Sequence, residues 1–345
     1  MTLAILLGTR PEVVKLAPLI WELEKRKEKF LLIHSGQHYD FNMSQVFFDE
    51  LGIRKPDSFL EVGSSSHAIQ TARIMVGVEE AIKKNNITTL VVLGDTNTVL
   101  AGAIAAKKLG IRVAHVESGC RSFDKTMPEE INRILTDQIS DYRFTPSEFC
   151  RKNLVAEGMS DNITITGCTE FETLEFALKK KKKPFETPKD FALVTIHRQE
   201  NTTPEKLKVL MALLEKTPLE KSFLIHPRTK KIMDENKIKP PANTTLKEPV
   251  GYFELAWLLK ECNYVITDSG GLQKEAAFLG KKVIIARENS EWLDVLESGF
   301  GTLVGLDEKS AEKAKAFLNA KAPVKPLQEH NRASKIIANV LSSKA

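Results

Sequence analysis

The sequence predicts an α/β protein built from two doubly wound domains, each a parallel sheet covered by helices. Three observations lead to this class. Its 345 residues suffice for about two domains. Short β-rich runs alternate with helical segments in both halves of the chain. Polar residues follow the ends of these runs, which is where open α/β sheets bind their ligands.

The first half contains the clearest parallel crossover. Leu90 to Leu93 and Val113 to Val116 are typical strands, and the alanine-rich segment from Leu100 to Leu109 between them is typical of a helix. Asp95 and Glu117 follow these two strands directly. Because a parallel crossover brings both strand ends to one edge of a sheet, we expect the two carboxylates to lie at that edge.

The remaining elements extend this pattern along the chain. In the first half we predict strands at 3–7, 31–35, 142–145 and 163–166, with helices at 44–51, 67–84 and 129–140. In the second half we predict strands at 192–196, 223–225, 264–267 and 283–285, with helices at 204–214, 253–260 and 272–279. The predicted domains are therefore residues 1–167 and 168–329. A last helix within residues 330–345 is a candidate to pack back on the first domain.

Composition excludes several classes of protein. The net charge of +5 is modest, and basic residues are scattered except for Lys179 to Lys183, so neither nucleic acid nor a membrane surface is an expected partner. The four cysteines show no CxxC spacing, which argues against structural zinc and a disulfide framework. No apolar run is long enough to span a bilayer. We expect a soluble protein in the cytoplasm.

Carboxylates near one sheet edge suggest proton transfer. Asp95, Glu117 and Glu129 together suit acid and base chemistry at a carbon or oxygen of a sugar. A metal site is the competing use, but no DxD pair or HxxxH spacing accompanies these residues. Capping of the helix after Pro128 is the alternative for Glu129 or Glu130.

Cations follow the first predicted strand. Arg10 and Lys15 are placed to meet an anionic ligand, although both also suit an ordinary protein surface. The turn lacks GxGxxG, so no dinucleotide fingerprint is predicted here. His38, in the loop after the second strand, is either a ligand contact or incidental.

The segment TDSGGLQKEA, from Thr267 to Ala276, is the sharpest motif of the second half. A strand ends, two glycines permit close backbone approach, and a helix begins, so free N–H groups point towards a ligand such as a diphosphate. Glu275, one turn into the helix, suits the hydroxyls of a ribose. A plain turn with a helix cap is the alternative, and the lack of a GxxxxGK pattern argues against an ATP-hydrolysing loop.

Histidines also follow strands of the second half. His197 either assists a departing phosphate or caps the next helix, and His226 with Arg228 occupies the equivalent place after the following strand. We expect the two domains to face each other and to hold a ligand in the cleft between their strand ends.

Seven segments together resemble a known family, in order and spacing. They are GTRPEVVKLAPL, GQHYD, GDTNTVLAG, HVESGCRSFDKTMPEEINR, VTIHRQEN, IHPR and TDSGGLQKEA, and they span nearly the whole chain. The sequence resembles the non-hydrolysing UDP-N-acetylglucosamine 2-epimerases. This resemblance implies two Rossmann-like domains of GT-B type, UDP in the cleft, a homodimer, and conversion of UDP-N-acetylglucosamine to UDP-N-acetylmannosamine with no metal or nicotinamide cofactor.

The resemblance also implies roles for individual residues. UDP is eliminated to leave a bound 2-acetamidoglucal, and is then added back with protonation from the opposite face. Asp95, Glu117 and Glu129 become the acid and base carboxylates, with His197 and Lys15 catalytic or phosphate-supporting. The implied substrate contacts are Arg10, His226, Ser269, Gly270, Gly271 and Glu275.

One departure bears on the identity of the sugar. Where bacterial members have TERPE this chain has SEWLD, from Ser290 to Asp294, so Trp292 replaces an arginine that contacts the nucleotide sugar. This segment is more similar to relatives acting on UDP-2,3-diacetamido-2,3-dideoxyglucuronate or on archaeal substrates, and the diacetamido sugar stays an alternative substrate. The pattern also leaves open a hydrolysing 2-epimerase, a GT-B glycosyltransferase and a catalytically silent sugar sensor.

Overall fold

The computed structural model describes residues 2–37, 48–321 and 332–343. They form two compact units, Met1–Thr173 with Glu329–Ala345, and Leu174–Gln328. Each unit has a parallel sheet with helices between its strands, so the predicted fold class is confirmed. His38 and the first part of the helix predicted at 44–51 lie outside the described residues.

The strands and helices alternate along nearly the whole chain. The strands are β1 Leu3–Leu7, β2 Phe30–His34, β3 Ser58–Phe59, β4 Thr89–Leu93, β5 Arg112–Val116, β6 Tyr142–Thr145, β7 Ile163–Ile165, β8 Phe191–Thr195, β9 Glu220–Leu224, β10 Thr244–Lys247, β11 Tyr264–Thr267, β12 Lys282–Ile285 and β13 Gly301–Leu303. The longer helices are α1 Arg10–Lys25, α2 His67–Asn85, α3 Asn97–Lys108, α4 Pro128–Ile139, α5 Glu148–Ala156, α6 Thr169–Lys180, α7 Pro204–Lys216, α8 Pro227–Glu235, α9 Tyr252–Glu261, α10 Gly270–Phe278, α11 Leu293–Glu297, α12 Ser310–Asn319 and α13 Ala333–Ser343.

Both sheets reverse their strand order near the middle. In the described part of the first unit, seven parallel strands pair in the order β3-β2-β1-β4-β5-β6-β7. The corresponding order in the second unit is β10-β9-β8-β11-β12-β13. The reversals fall between β1 and β4 and between β8 and β11. Loops diverge at such switch points, which is where sheets of this kind bind ligands.

Burial on both faces explains why the central strands are continuous apolar runs. All five residues of β1 and all five of β4 are buried, as expected for parallel strands covered by helices on two sides. Leu93 of β4 pairs with Val116 of β5. Asp95 and Glu117 therefore leave the sheet at the same edge, as the crossover predicts.

The strands that the sequence analysis missed are β3, β10 and β13. Each lies at the outer edge of its sheet and has only two to four residues. Short edge strands carry no sustained apolar alternation, so hydrophobic periodicity does not reveal them.

Helix α13 belongs to the first unit, although it follows the second along the chain. The backbone N–H of Ser334 donates to Glu172 Oε1 at 2.8 Å, and its hydroxyl donates to Glu172 Oε2 at 2.6 Å. Ile337 and Leu341 are buried. No described helix is long and apolar enough to cross a membrane.

Candidate active site

Lys15 and Glu117 form the central ion pair of the first unit. Lys15 Nζ, from α1, lies 2.7 Å from Glu117 Oε1 and 3.5 Å from Glu170 Oε2. The side chains of Lys15 and Glu117 are only 15% and 9% exposed. Burial opposes the charge on Lys15, but the two carboxylates outweigh it and raise its pKa above the ordinary value. Lys15 is therefore a fixed cation.

The backbone of Glu117 is strained. Its φ of +66° lies in the left-handed region, which residues other than glycine rarely adopt. Its two neighbours are fixed, since Val116 O accepts from Gly94 N at 3.1 Å and Ser118 N donates to Phe144 O at 3.1 Å. Strain of this kind persists only where the surrounding structure imposes it, and it concentrates at functional sites.

Asp95 pairs with Arg133 of α4. Arg133 Nη2 donates to Asp95 Oδ2, while Nη1 donates to Glu130 Oε2 at 2.8 Å. The side-chain amide of Asn132 donates to the carbonyl of Asp95 at 2.8 Å. Asp95 remains 31% exposed. Arg133 and Asn132 thus fix the position of Asp95, while part of its side chain stays exposed to solvent.

The structure separates the acidic pair at the start of α4. Glu130 is buried and accepts hydrogen bonds from the backbone N–H groups of Ser122 and Phe123, at 3.0 and 2.9 Å. Glu129 is exposed in the first turn, directly after Pro128. Glu130 therefore fixes the preceding loop, and Glu129 is the carboxylate available to a ligand.

Glu12 organises the turn before α1, which begins at Arg10, and the sequence analysis did not single it out. Its Oε2 accepts from the backbone N–H groups of Gly8 and Thr9, at 2.5 and 3.1 Å. Its Oε1 accepts from the hydroxyl of Thr96, beside Asp95, at 2.6 Å. Burial raises the pKa of Glu12 to about 7. The spacing of a threonine followed three residues later by a glutamate is the signal that would have revealed it.

In the second unit, His197 lies beside the carboxylate of Asp268. His197 Nδ1 is 3.0 Å from Asp268 Oδ1, and the histidine ring is half exposed whereas Asp268 is fully buried. Asp268 also accepts from the N–H of Arg198 at 2.9 Å and from the side chain of Asn201 at 3.1 Å. Burial acts to raise the pKa of Asp268, but these hydrogen bonds, first that of His197, lower it. An ionised Asp268 thus orients the histidine ring through Nδ1. The other ring nitrogen, Nε2, is not the one that contacts Asp268.

Ser269 is the N-cap of α10, and Gly270 and Gly271 form the first turn of that helix. A β-carbon on Gly270 would lie 2.3 Å from Glu291 Oε1, so a larger residue would displace that carboxylate, which Arg287 Nη1 pairs at 2.8 Å. A β-carbon on Gly271 would meet no atom within 4 Å. The open side of this helix start is therefore at Gly271.

Glu275 and His226 have defined structural partners. Glu275 is buried and accepts from the hydroxyl of Tyr252 at 2.7 Å. His226 is the N-cap of α8, where its Nδ1 accepts from the N–H of Arg228 at 3.2 Å. Burial, together with Arg228 and His197, lowers the pKa of His226. His226 is therefore a neutral helix cap, and Arg228 Nη2 also reaches the carbonyl of His197 at 2.5 Å.

Trp292, which replaces an arginine of the family pattern, is buried over a lysine. Lys274 Nζ lies 4.0 Å from the centroid of the indole, and Lys274 is fully buried. Asp294 Oδ2 is 3.6 Å from the same ammonium. The indole thus covers a buried cation, and an arginine at this position would bring a second positive charge against it.

Within residues 2–37, 48–321 and 332–343, no three His, Cys, Asp or Glu side chains are grouped so as to hold a metal ion. Glu117 is paired with Lys15, and Asp95 is paired with Arg133.

Comparisons with known proteins agree on one family. A family model described as UDP-N-acetylglucosamine 2-epimerase matches residues 21–342. A UDP-N-acetylglucosamine 2-epimerase of Methanocaldococcus jannaschii is 42% identical over 341 residues, covering 93% of each chain. A UDP-2,3-diacetamido-2,3-dideoxy-D-glucuronate 2-epimerase of Pseudomonas aeruginosa is 37% identical over 315 residues, covering 88% of each.

Solved structures extend this agreement to the fold. The Methanocaldococcus jannaschii UDP-GlcNAc 2-epimerase, in complex with UDP-GlcNAc and UDP, aligns with a TM-score of 0.90 at 39% identity, over 99% of this chain and 100% of that one. The calicheamicin glycosyltransferase aligns with a TM-score of 0.57 at 14% identity, over 99% and 94%, which indicates a shared GT-B fold alone. The chain belongs to the UDP-N-acetylglucosamine 2-epimerase family.

Proposed function

We propose that this protein inverts carbon 2 of UDP-N-acetylglucosamine to give UDP-N-acetylmannosamine, without net hydrolysis. The observation that carries the proposal is the buried pair of Lys15 and Glu117, in which a strained backbone presents a carboxylate to a fixed cation beside Asp95. Membership of the family supports the substrate class.

The first unit supplies the proton chemistry. One carboxylate among Asp95, Glu117 and Glu129 removes the weakly acidic proton from carbon 2, and another returns a proton to the opposite face. Abstraction of such a proton requires a base held at a fixed position, which the contacts of Asp95 with Arg133 and of Glu117 with Lys15 provide.

The second unit supplies the nucleotide contacts. N–H groups at the start of α10, from Ser269 to Gly271, contact the diphosphate. Arg10, in the first unit, stays a predicted contact for an anionic ligand. Glu275 accepts from ribose hydroxyls. His197, oriented by Asp268, supports the diphosphate where negative charge develops during departure. His226 adds a neutral contact from the start of α8.

The reaction proceeds by elimination and readdition. The bonds from carbon 2 to hydrogen and from carbon 1 to the diphosphate oxygen break, a double bond forms between the two carbons, and UDP leaves. UDP then adds back to the bound 2-acetamidoglucal as carbon 2 is protonated from the other face. The departing UDP and the proton removed from carbon 2 are both restored in the second step, so the reaction involves no net oxidation or reduction.

Incubation of the purified protein with UDP-N-acetylglucosamine tests this function. We expect UDP-N-acetylmannosamine to accumulate to a constant ratio, with little free UDP, as followed by NMR and anion-exchange chromatography. Stoichiometric free UDP would reassign the protein as a hydrolysing enzyme. Loss of substrate only when a sugar acceptor is added would reassign it as a glycosyltransferase, and tight binding without turnover would indicate a sensor.

A parallel incubation with UDP-2,3-diacetamido-2,3-dideoxyglucuronate separates the two candidate sugars. The 37% identity to an enzyme named for that sugar makes it the substrate to compare. We expect kcat/KM to favour UDP-N-acetylglucosamine, and the opposite preference would move the assignment to the diacetamido sugar.

We propose in addition that the protein is a cytoplasmic homodimer. The four cysteines are buried thiols, which suits a reducing compartment. Light scattering should give about twice the chain mass of 38.6 kDa, whereas a mass of one chain would contradict the dimer.

A further inference from the structure

We propose that His115 is a buried imidazolium that positions the loops carrying Asp95 and Glu117 relative to each other. The residue lies on β5, two positions before Glu117, and is fully buried. It is a positioning residue, since it acts through other residues rather than on a substrate. Its role in catalysis rests on the proposed function, whereas its protonation state does not.

Both ring nitrogens of His115 face hydrogen-bond acceptors. Nδ1 lies 2.6 Å from Asp137 Oδ1, and Nε2 lies 2.8 Å from the backbone carbonyl oxygen of Gly94. A neutral imidazole has one donor and one acceptor, whereas an imidazolium has two donors. The carbonyl of Gly94 is only an acceptor, so Nε2 carries a proton.

Asp137 is in turn surrounded by donors. Its carboxylate accepts from the hydroxyl of Ser118, from the N–H of Gly119 at 3.0 Å and from Arg121 Nη1 at 2.7 Å. A carboxylate that accepts from a guanidinium, a backbone N–H and a hydroxyl is held in its ionised form without any contribution from His115. An ionised Asp137 has no proton to donate, so Nδ1 of His115 is a donor as well.

Two arginines complete the network around Asp137. Glu157 accepts from Arg121 Nε and Nη2, both at 2.7 Å, and so adds a second carboxylate. Arg143 of β6 donates from Nε to the main-chain oxygen of Asp137 at 2.8 Å, and its charge also acts on the carboxylate of Asp137. The inference for His115 therefore rests on the two acceptors that its ring nitrogens face.

These contacts join the two loops of the candidate active site. Gly94 directly precedes Asp95, and its N–H donates to Val116 O at 3.1 Å while its carbonyl accepts from His115. Ser118 and Gly119, which follow Glu117, are fixed by Asp137. Gly119 has a φ of +81°, and a β-carbon there would lie 2.2 Å from the carbonyl oxygen of Cys150, so this turn has little room to move.

His34 is an internal control in the same sheet. It is also buried, but its Nδ1 accepts from the N–H of Gly36 at 3.0 Å and its ring stacks on Phe59. Burial without an acidic partner lowers its pKa to about 4. His34 should therefore be neutral under conditions in which His115 is charged.

Long-range ¹H–¹⁵N correlation spectra of the histidine-labelled protein test the protonation state directly. Under the conditions of the activity assay we expect a hydrogen-bonded proton on both nitrogens of His115 and none on Nδ1 of His34, with assignments from single histidine variants. A neutral tautomer of His115 in these spectra would overturn the proposal. The experiment needs no turnover, so it stands whether or not UDP-N-acetylglucosamine is the substrate.

Kinetics of variants test the positioning role. We expect His115→Gln to lower kcat by about 100-fold with KM for UDP-N-acetylglucosamine changed less than about threefold, since misplaced catalytic groups cost rate more than binding. Glu157→Gln is the matched control, because it removes the outer carboxylate of the network without contacting either loop, and it should stay within threefold of wild type. Equal losses in both variants, or an unchanged kcat in His115→Gln, would contradict positioning by His115. If His115→Gln does not fold, the spectra of the wild-type protein still decide the proposal.

Discussion

The ammonium of Lys15 and the carboxylate of Glu117 lie 2.7 Å apart, although the two residues are 102 positions apart in the chain. Lys15 lies on α1 after β1, and Glu117 follows β5, two strands away across the switch point of the first sheet. The topology thus brings a carboxylate and a cation together at the edge where α/β sheets bind ligands.

Removing the ammonium should inactivate the protein. In Lys15→Met the carboxylates of Glu117 and Glu170 lose a shared cation, and breaking such a buried pair costs about 3 kcal/mol. We expect the epimerisation rate to fall by at least about 100-fold. Lys25→Met, on an exposed position of the same helix, is the control and should behave as wild type. Activity of Lys15→Met within threefold of wild type would show that the pair is not needed.

Glu12 should make stability depend on pH. Its pKa is raised to about 7 in the folded protein from 4.5, so the folded state holds the proton more tightly than the unfolded state. The contribution of Glu12 to the free energy of unfolding is therefore fully present below pH 4.5. It is lost as the pH rises through 7, and the loss amounts to about 3 kcal/mol. Glu12→Gln has no such pH-dependent loss. Its free energy of unfolding, relative to that of wild type, should therefore rise by about that amount between pH 5 and pH 8.

Urea denaturation at pH 5 and pH 8 measures that difference. The stability of the variant relative to wild type should increase with pH. A relative stability that is constant, or that decreases with pH, would show that Glu12 is ionised in the folded protein at both values.

Asp268 should support catalysis through His197. In Asp268→Asn the ring loses its charged partner, and an asparagine is also a poorer acceptor for the N–H groups of His197 and Arg198. We expect kcat to fall by about 10- to 100-fold. Glu200→Gln removes a carboxylate that is exposed and reaches Arg198 at 3.5 Å, and it should leave kcat unchanged. A similar kcat for both variants would remove His197 from the proposed mechanism.

Trp292 should stabilise the folded protein through its contact with the buried Lys274. In Trp292→Arg a guanidinium replaces the indole that covers Lys274, so a favourable contact of about 2 kcal/mol becomes repulsion between like charges. We expect a lower Tm in thermal melts, a smaller effect for Trp292→Phe, and partial recovery in Lys274→Met with Trp292→Arg. A Tm of Trp292→Arg equal to that of wild type would show that this position faces solvent or ligand.

The sequence predicted those parts of the fold and site that depend on local pattern. Apolar runs bounded by glycine identified the central strands, and the crossover rule placed Asp95 and Glu117 at one edge of the sheet. The strand and helix at TDSGGLQKEA were also apparent, because turn and helix signals lie within ten residues.

Other features depend on contacts that a sequence pattern does not encode. Glu129 and Glu130 are adjacent glutamates, so the sequence does not distinguish them. The rotation of α4 about its axis is what turns Glu130 inward, towards the backbone of Ser122 and Phe123. His115 and Asp137 lie on different elements, 22 positions apart, so their pairing follows from the packing of α4 against the sheet. The structure gives the position and partners of the candidate site residues, and the catalytic or binding role assigned to each of them stays a prediction.

Transfer of solvent deuterium to carbon 2 tests the proposed epimerisation most directly. In heavy water, every UDP-N-acetylmannosamine formed by the wild-type protein should carry deuterium at carbon 2, because each turnover breaks the bond to the original proton. Asp95→Asn and Glu117→Gln should each lower both exchange and epimerisation by at least about 100-fold. Product that retains its original proton at carbon 2, or exchange at the wild-type rate in both variants, would contradict the proposed mechanism.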